Sequence, residues 1–249
     1  MTRPIALVTG AAHRIGRAIA TDLAANGFDV ALHANRSTDE AELLASSLRP
    51  AARAAVVTGD LGDAHAVAAL VPAAQEALGP LSLVVNNASL FESDGAAEPD
   101  SARFRRHMAV NAEAPLQLAA ALYRLSSAAD RMVINLIDQR VWKPTPTYVS
   151  YSASKAALWW LTQTLAQAYA PDVRVNALAP GPVLQATTQT AADFEALVDA
   201  VPLKRSPAPA DFGAAIRFLY GQASITGQML ALDGGQHLSW KTPDALITE

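Results

Sequence analysis

The sequence predicts an α/β fold: a single domain over residues 1–249, built as a doubly wound parallel sheet of about seven strands with helices on both faces. Three observations predict it. Short β-branched or apolar runs alternate with helical stretches from end to end, the pattern of repeated βαβ units. No composition shift, Pro/Gly-rich linker, internal repeat or low-complexity segment divides the chain. Hydrophobic residues make up 51% of the sequence and charged residues 17%, enough apolar material for a sizeable core.

Taken in order, Ile5–Val8 is a strand by its unbroken apolar run, and Arg14–Asn26 is a helix that Gly27 stops. Asp29–Leu32 is the second strand. Thr38–Leu48 follows as a helix, with Asp39 and Glu40 in its first turn, where acids suit the helix dipole. Ala54–Val57 is the third strand, and Gly79 closes the helix Ala64–Leu78 behind it. Leu81–Val85 is the fourth strand, after which Ser101–Ser126 reads as one long helix. Met132–Leu136 is the fifth, followed by a helix over Tyr151–Ala170 that ends at Pro171. Val173–Ala177 and Met229–Leu232 are the sixth and seventh strands, with a helix at Ala210–Gly221 between them. The least regular stretch is Pro182 to Pro209, where Pro202, Pro207 and Pro209 surround a short helix near Ala192–Ala200. It reads equally as a substrate loop or as an ordinary connection.

The formal net charge of -4 comes without a block of Lys and Arg, so nothing marks a partner made of nucleic acid or an anionic membrane. A small-molecule partner is expected instead. The absence of cysteine excludes disulfides, thiolate metal sites and cysteine nucleophiles, and no metal site is expected. Met1 to Pro4 run straight into the first strand without the parts of a signal peptide, and no apolar run reaches the roughly 18 residues of a membrane span. A cytoplasmic location is expected.

The first strand runs into Thr9-Gly10-Ala11-Ala12-His13-Arg14-Ile15-Gly16 and then a helix, so backbone N–H groups at a helix N-terminus face outward to meet a pyrophosphate. Gly10 permits the tight turn, although the spacing is not G-x-G-x-x-G. Gly10, Arg14 and Ile15 are the candidate contacts here. Arg14 stands where many dinucleotide sites have glycine; it is either a cation beside the phosphates or a solvated arginine at a helix start. The second strand ends in Asn35-Arg36-Ser37, with no acid to hold a ribose 2′-hydroxyl. A guanidinium fork and a hydroxyl suit a 2′-phosphate, which favours NADPH over NADH as cofactor.

Tyr151 and Lys155 lie four residues apart and share one face of a helix, which brings an ammonium near a phenol and is expected to lower the phenol's pKa. An exposed helix pair is the plain alternative. Tyr148 has no lysine four residues on. Together the motifs Thr9-Gly10…Gly16, Asp60-Leu61, Asn86-Asn87-Ala88, Asn111, Tyr151…Lys155, Pro180-Gly181 and Asp233-Gly234-Gly235 resemble the short-chain dehydrogenase/reductase family over essentially the whole chain. The resemblance implies a Rossmann fold and a homo-oligomer, a tetramer or dimer. It further implies that Asp60 and Leu61 border the adenine, Asn87 and Ala88 line the cofactor cleft, and Pro180, Gly181 and Val183 pass the nicotinamide. Tyr151 would donate a proton, Lys155 would bind the nicotinamide ribose, and Asn111 would hold a relay water unless it merely satisfies backbone.

One position departs from that pattern. Thirteen residues before the tyrosine the family usually carries serine, and here stands Asp138. A hydroxyl can donate to a developing alkoxide, whereas an ionised carboxylate repels it and suits a substrate that brings N–H donors or is protonated at a ring nitrogen. With Arg14, Asn35-Arg36-Ser37 and Asn87-Ala88-Ser89-x-Phe91, Asp138 makes the chain resemble the pteridine reductases, which act on dihydrobiopterin, dihydromonapterin or dihydrofolate. By that resemblance Phe91 stacks a pterin ring and Ser89 touches substrate or cofactor; Phe91 reads equally as a loop aromatic plugging the core. The expected function is reduction of a pterin C=N bond with NADPH. A carbonyl reductase of the same fold and a non-catalytic NADPH-binding regulator are the competing readings.

Overall fold

The computed structural model describes residues 3–185 and 189–240. Seven parallel strands form one sheet in the order β3-β2-β1-β4-β5-β6-β7. They are β1 Ile5–Val8, β2 Asp29–Ala34, β3 Ala54–Thr58, β4 Leu83–Asn86, β5 Met132–Leu136, β6 Arg174–Pro180 and β7 Met229–Leu232. The strand order reverses between β1 and β4, and at such a switch point the loops leaving the carboxyl ends part to open a crevice. The expected fold class is therefore the observed one, with β2 and β6 running two or three residues further than their apolar runs.

The helices are α1 Arg14–Ala25, α2 Thr38–Leu48, α3 Ala64–Leu78, α4 Ser101–Met108, α5 Ala114–Leu125, α6 Val149–Ala168, α7 Ala191–Asp199 and α8 Pro209–Gly221. One core layer joins Ile19 and Leu23 of α1 to Phe212 and Ile216 of α8 against Val8, Leu32 and Ile134. The other joins Val67 and Leu70 of α3 to Leu118 and Leu122 of α5 against Leu7, Val84 and Val133. Fully burying one such side chain contributes roughly 1.5–3 kcal/mol. Both faces of the sheet are covered, which is why its strands read as apolar runs rather than alternations. Among the described residues no helix is long and apolar enough to cross a membrane.

The long helix expected over Ser101–Ser126 is not uniform. A π-helical turn, Ala109–Glu113, separates α4 from α5. Pro115 lacks the N–H that an α-helix would direct at the carbonyl of Asn111, and Asn111 is itself buried and bonded to Leu90, so the register widens here. Two short 3-10 turns, Gln139–Val141 and Gln236–Leu238, also went unread because three residues are too few to show periodicity.

Candidate active site

The phosphate turn leaves β1 at Thr9, whose hydroxyl accepts the N–H groups of Asn87 and Ala88 at 2.9 and 3.0 Å and so ties the turn to the end of β4. Gly10 has φ +62, a left-handed conformation that glycine adopts freely. A Cβ on Gly16 would stand 2.2 Å from the Gly10 carbonyl oxygen, so helix α1 can approach the turn only without a side chain there. His33, buried at the end of β2, braces the same turn. Its Nδ1 accepts the Gly10 N–H at 3.2 Å, and its Nε2 donates to the Gly59 carbonyl at 2.9 Å. The bond accepted at Nδ1 needs the neutral ring, and burial lowers the His33 pKa to the same effect, partly opposed by the hydrogen bond to Gly59.

Two cavities meet at Ser89. One, of about 720 Å³, is lined by Gly10, Asn35, Arg36, Asp60, Leu61, Ala88 and Ser89, with Arg105 and Arg106 opposite. The other, of about 390 Å³, gathers Arg14, Ile15, Asn87, Ser89, Phe91, Asp138, Tyr151, Lys155, Pro180, Gly181 and Val183. The candidate residues thus fall into two groups at the carboxyl ends of the strands. Ser37 precedes α2 and Asn111 lies beneath Leu90, and neither belongs to these walls. The Asn111 amide is spent on the Leu90 N–H and carbonyl and on the Ser89 and Ser154 hydroxyls. Residues 186–188, part of the irregular stretch, lie outside the described residues; Leu184, Gln189, Phe194 and Leu197 of that stretch line the smaller cavity.

Helix α6 places Tyr151 and Lys155 at the floor of the smaller cavity, both buried. The Tyr151 hydroxyl donates to Asp138 Oδ2 at 2.9 Å, and Lys155 Nζ donates to the Leu136 carbonyl at 2.7 Å. Burial lowers the Lys155 pKa to about 8, with Asp138 opposing the fall. The phenol goes the other way from expectation. Burial first, then the Asp138 charge and hydrogen bond, push Tyr151 well above its ordinary value, and Arg140 only partly offsets them. A desolvated phenol beside a carboxylate keeps its proton, which suits a donor rather than a phenolate base.

Among the wall residues that the sequence did not mark, Arg140, Tyr148 and His33 shape the site most directly. Arg140 pairs with Asp138 at 3.1 Å. Tyr148, set aside for want of a lysine partner, stacks on Phe91 with centroids 4.5 Å apart, while Phe91 meets Tyr151 edge-on at 4.7 Å. His33 carried no motif at all. Arg14 is neither simply solvated nor free: it holds φ +52 and donates to the carbonyls of Leu184 and Gln185, both at 3.0 Å, thereby anchoring the stretch that leaves β6. Gly181 packs where a Cβ would lie 2.5 Å from Asp233 Cα, which explains the glycine of the Pro180-Gly181 pair by contact with Asp233-Gly234-Gly235.

A dinucleotide-binding switch point with a Tyr/Lys helix at its mouth defines a class of oxidoreductase, and the comparisons agree. The short chain dehydrogenase family model matches residues 4–196, and the chain belongs to that family. Among solved structures, alternative dihydrofolate reductase 1 (FolM) from Brucella canis, complexed with NADP, is 48% identical with a TM-score of 0.93, covering 98% of each chain. The Brucella suis protein, also with NADP, is 48% identical with a TM-score of 0.91, covering 97% of this chain and 98% of that one. A galactitol 2-dehydrogenase from Cereibacter sphaeroides is 36% identical over 240 residues, 92% of this chain and 93% of the relative.

Proposed function

We propose that the protein is an NADPH-dependent reductase acting on the C=N bond of a dihydropterin or dihydrofolate-like substrate. The observation that carries this reading is the Tyr151 hydroxyl donating to Asp138 at 2.9 Å, a carboxylate where an alkoxide-forming site would want a donor. The likeness to the two Brucella alternative dihydrofolate reductases supports it independently. For the cofactor, the donor set fits: Arg36 lines the larger cavity with Asn35 and makes no ion pair or hydrogen bond with another described residue, and no carboxylate stands at the end of β2. Gly10, Asn35, Arg36, Asp60, Leu61 and Ala88 would hold the adenosine half, and Lys155, Pro180, Gly181 and Val183 the nicotinamide half.

When bound, NADPH supplies a hydride for the substrate carbon. Tyr151, kept protonated by burial and Asp138, delivers a proton to the substrate nitrogen, so the C=N bond becomes CH–NH. Asp138 accepts from Tyr151 in the resting site and is placed to take N–H donors of the ring. Lys155 is fixed by the Leu136 carbonyl, and its remaining donors would serve to hold a ribose of the cofactor. Phe91 offers an aromatic wall, 47% exposed, for a flat ring to pack on.

A second reading, carbonyl reduction, draws on the likeness to a galactitol 2-dehydrogenase. The two separate in one assay of NADPH oxidation with 7,8-dihydrobiopterin, 7,8-dihydrofolate and a panel of ketones, with the tetrahydro products identified by chromatography. Turnover of the pterins well above the ketones is expected. Good ketone turnover with none on any pterin replaces this reading by the carbonyl-reductase one.

A further inference from the structure

We infer that Arg140 is a specificity-determining residue that reads the side chain at C6 of the pterin; this rests on the pterin reading above. The residue belongs to the 3-10 turn Gln139–Val141, immediately beyond Asp138, and lines the smaller cavity. Its backbone N–H donates to Asp138 Oδ1 at 2.8 Å and its Nη1 to Oδ2 at 3.1 Å. The guanidinium carbon lies 6.0 Å from the Phe91 ring centroid and 5.6 Å from that of Tyr148, so two aromatic side chains and a carboxylate hold it in place. Its Nη2 makes no hydrogen bond with another described residue, and the side chain is 26% exposed. A guanidinium donor left unpaired on a cavity wall is open to an acceptor on a ligand.

The chemistry of the substrate says what that is. In a 7,8-dihydropterin the C=N bond still open to reduction joins N5 to C6, and C6 carries the substituent. Reduction needs N5 beside the Tyr151 hydroxyl, so the substituent leaves the ring next to Tyr151 and Asp138. Arg140 follows Asp138 along the same wall, since Asp138 Oδ2 accepts from both Tyr151 and Arg140. A guanidinium has only donors, and it recognises oxygen: the hydroxyls of a hydroxyalkyl chain. Arg140 therefore distinguishes an oxygenated C6 side chain from a bare alkyl group, while Asp138 and Tyr151 meet the ring.

The test compares 7,8-dihydrobiopterin, whose C6 chain carries two hydroxyls, with 6-methyl-7,8-dihydropterin, whose substituent carries none. Both are assayed on the native protein, Arg140→Met and Arg140→Lys, and dihydrobiopterin binding to each NADP⁺-loaded protein is measured by tryptophan fluorescence. Arg140→Met should lower kcat/KM for dihydrobiopterin roughly 10- to 150-fold more than for the methyl compound, with a matching rise in the dissociation constant. Arg140→Lys should recover part of that difference. Equal losses on both substrates would mean that Arg140 only places Asp138, and equal losses or no loss overturn the inference. A native protein that reduces neither pterin sinks the pterin reading itself, and this inference with it.

Discussion

Burial decides the protonation of the two residues at the centre. Lys155 sits at about 8, so its ammonium is present below that pH and lost above it, and kcat/KM for NADPH should fall as pH rises through about 8. A pH profile flat to pH 9.5 contradicts this. Tyr151→Phe removes the proton donor and should lower kcat by roughly 100- to 10,000-fold, with the NADPH dissociation constant little changed; near-normal turnover would point to Asp138 or a water as the donor. Asp138→Ser replaces the carboxylate that accepts from the Tyr151 hydroxyl by a shorter, neutral hydroxyl, and a fall of roughly 10- to 150-fold in pterin kcat/KM is expected, with ketones gaining. For the cofactor, Arg36→Asp should reverse the preference for NADPH over NADH, and similar kcat/KM for both in the native protein would defeat the reading of Arg36. Tyr151 and Lys155 stand out by their spacing, Arg36 by its place after the second strand and Asp138 by its departure from the family pattern, and the structure brings all four to the cavity walls. Arg140, Tyr148 and His33 were not legible, since each enters the site through a contact between elements that no spacing encodes. The direction of the Tyr151 shift was misjudged for a similar reason: spacing shows the lysine four residues on but not how deeply both are buried.

At the scale of elements, close approach rather than regular structure builds the cleft. Gly16→Ala would press a methyl within 2.2 Å of the Gly10 carbonyl oxygen, and neither the turn nor α1 can yield without opening the phosphate site. Destabilisation of about 1–3 kcal/mol by thermal melt, with weakened NADPH binding, is expected; unchanged melting and binding would show that the turn relocates freely. The strands and most helices were readable to within a residue or three because both sheet faces are covered and the intervening helices carry glycine or proline stops. The π-helical turn at Ala109–Glu113 was not, although Pro115 was a visible signal that the helix would be disturbed. The stretch after Pro182 kept two readings open in sequence, and the wall contributed by Leu184, Phe194 and Leu197 favours a substrate-facing segment.

For the whole molecule, the parallel sheet with its switch point between β1 and β4 puts the phosphate turn, Asp138, Tyr151 and Pro180 at one end of the strands. That arrangement was legible from the alternation of runs, and the reaction class followed from the motifs placed at those strand ends. Assembly is a prediction at this scale. Trp160 of α6 is 69% exposed and Phe104 of α4 is 43% exposed, apolar surface on two neighbouring helices that a second copy of the chain would cover. Light scattering at micromolar concentration should give a multiple of the 26.1 kDa chain mass, a tetramer or dimer, and a monomer contradicts it. The central claim is that a pterin ring is reduced against Tyr151 and Asp138, and a crystal structure of the protein with NADP⁺ and 7,8-dihydrobiopterin tests it most directly. The account predicts the ring in the smaller cavity, packed on Phe91, with a ring nitrogen in hydrogen-bond distance of the Tyr151 hydroxyl. A ring seated away from Tyr151, or a cavity that takes NADP⁺ and no pterin at saturating concentration, contradicts it.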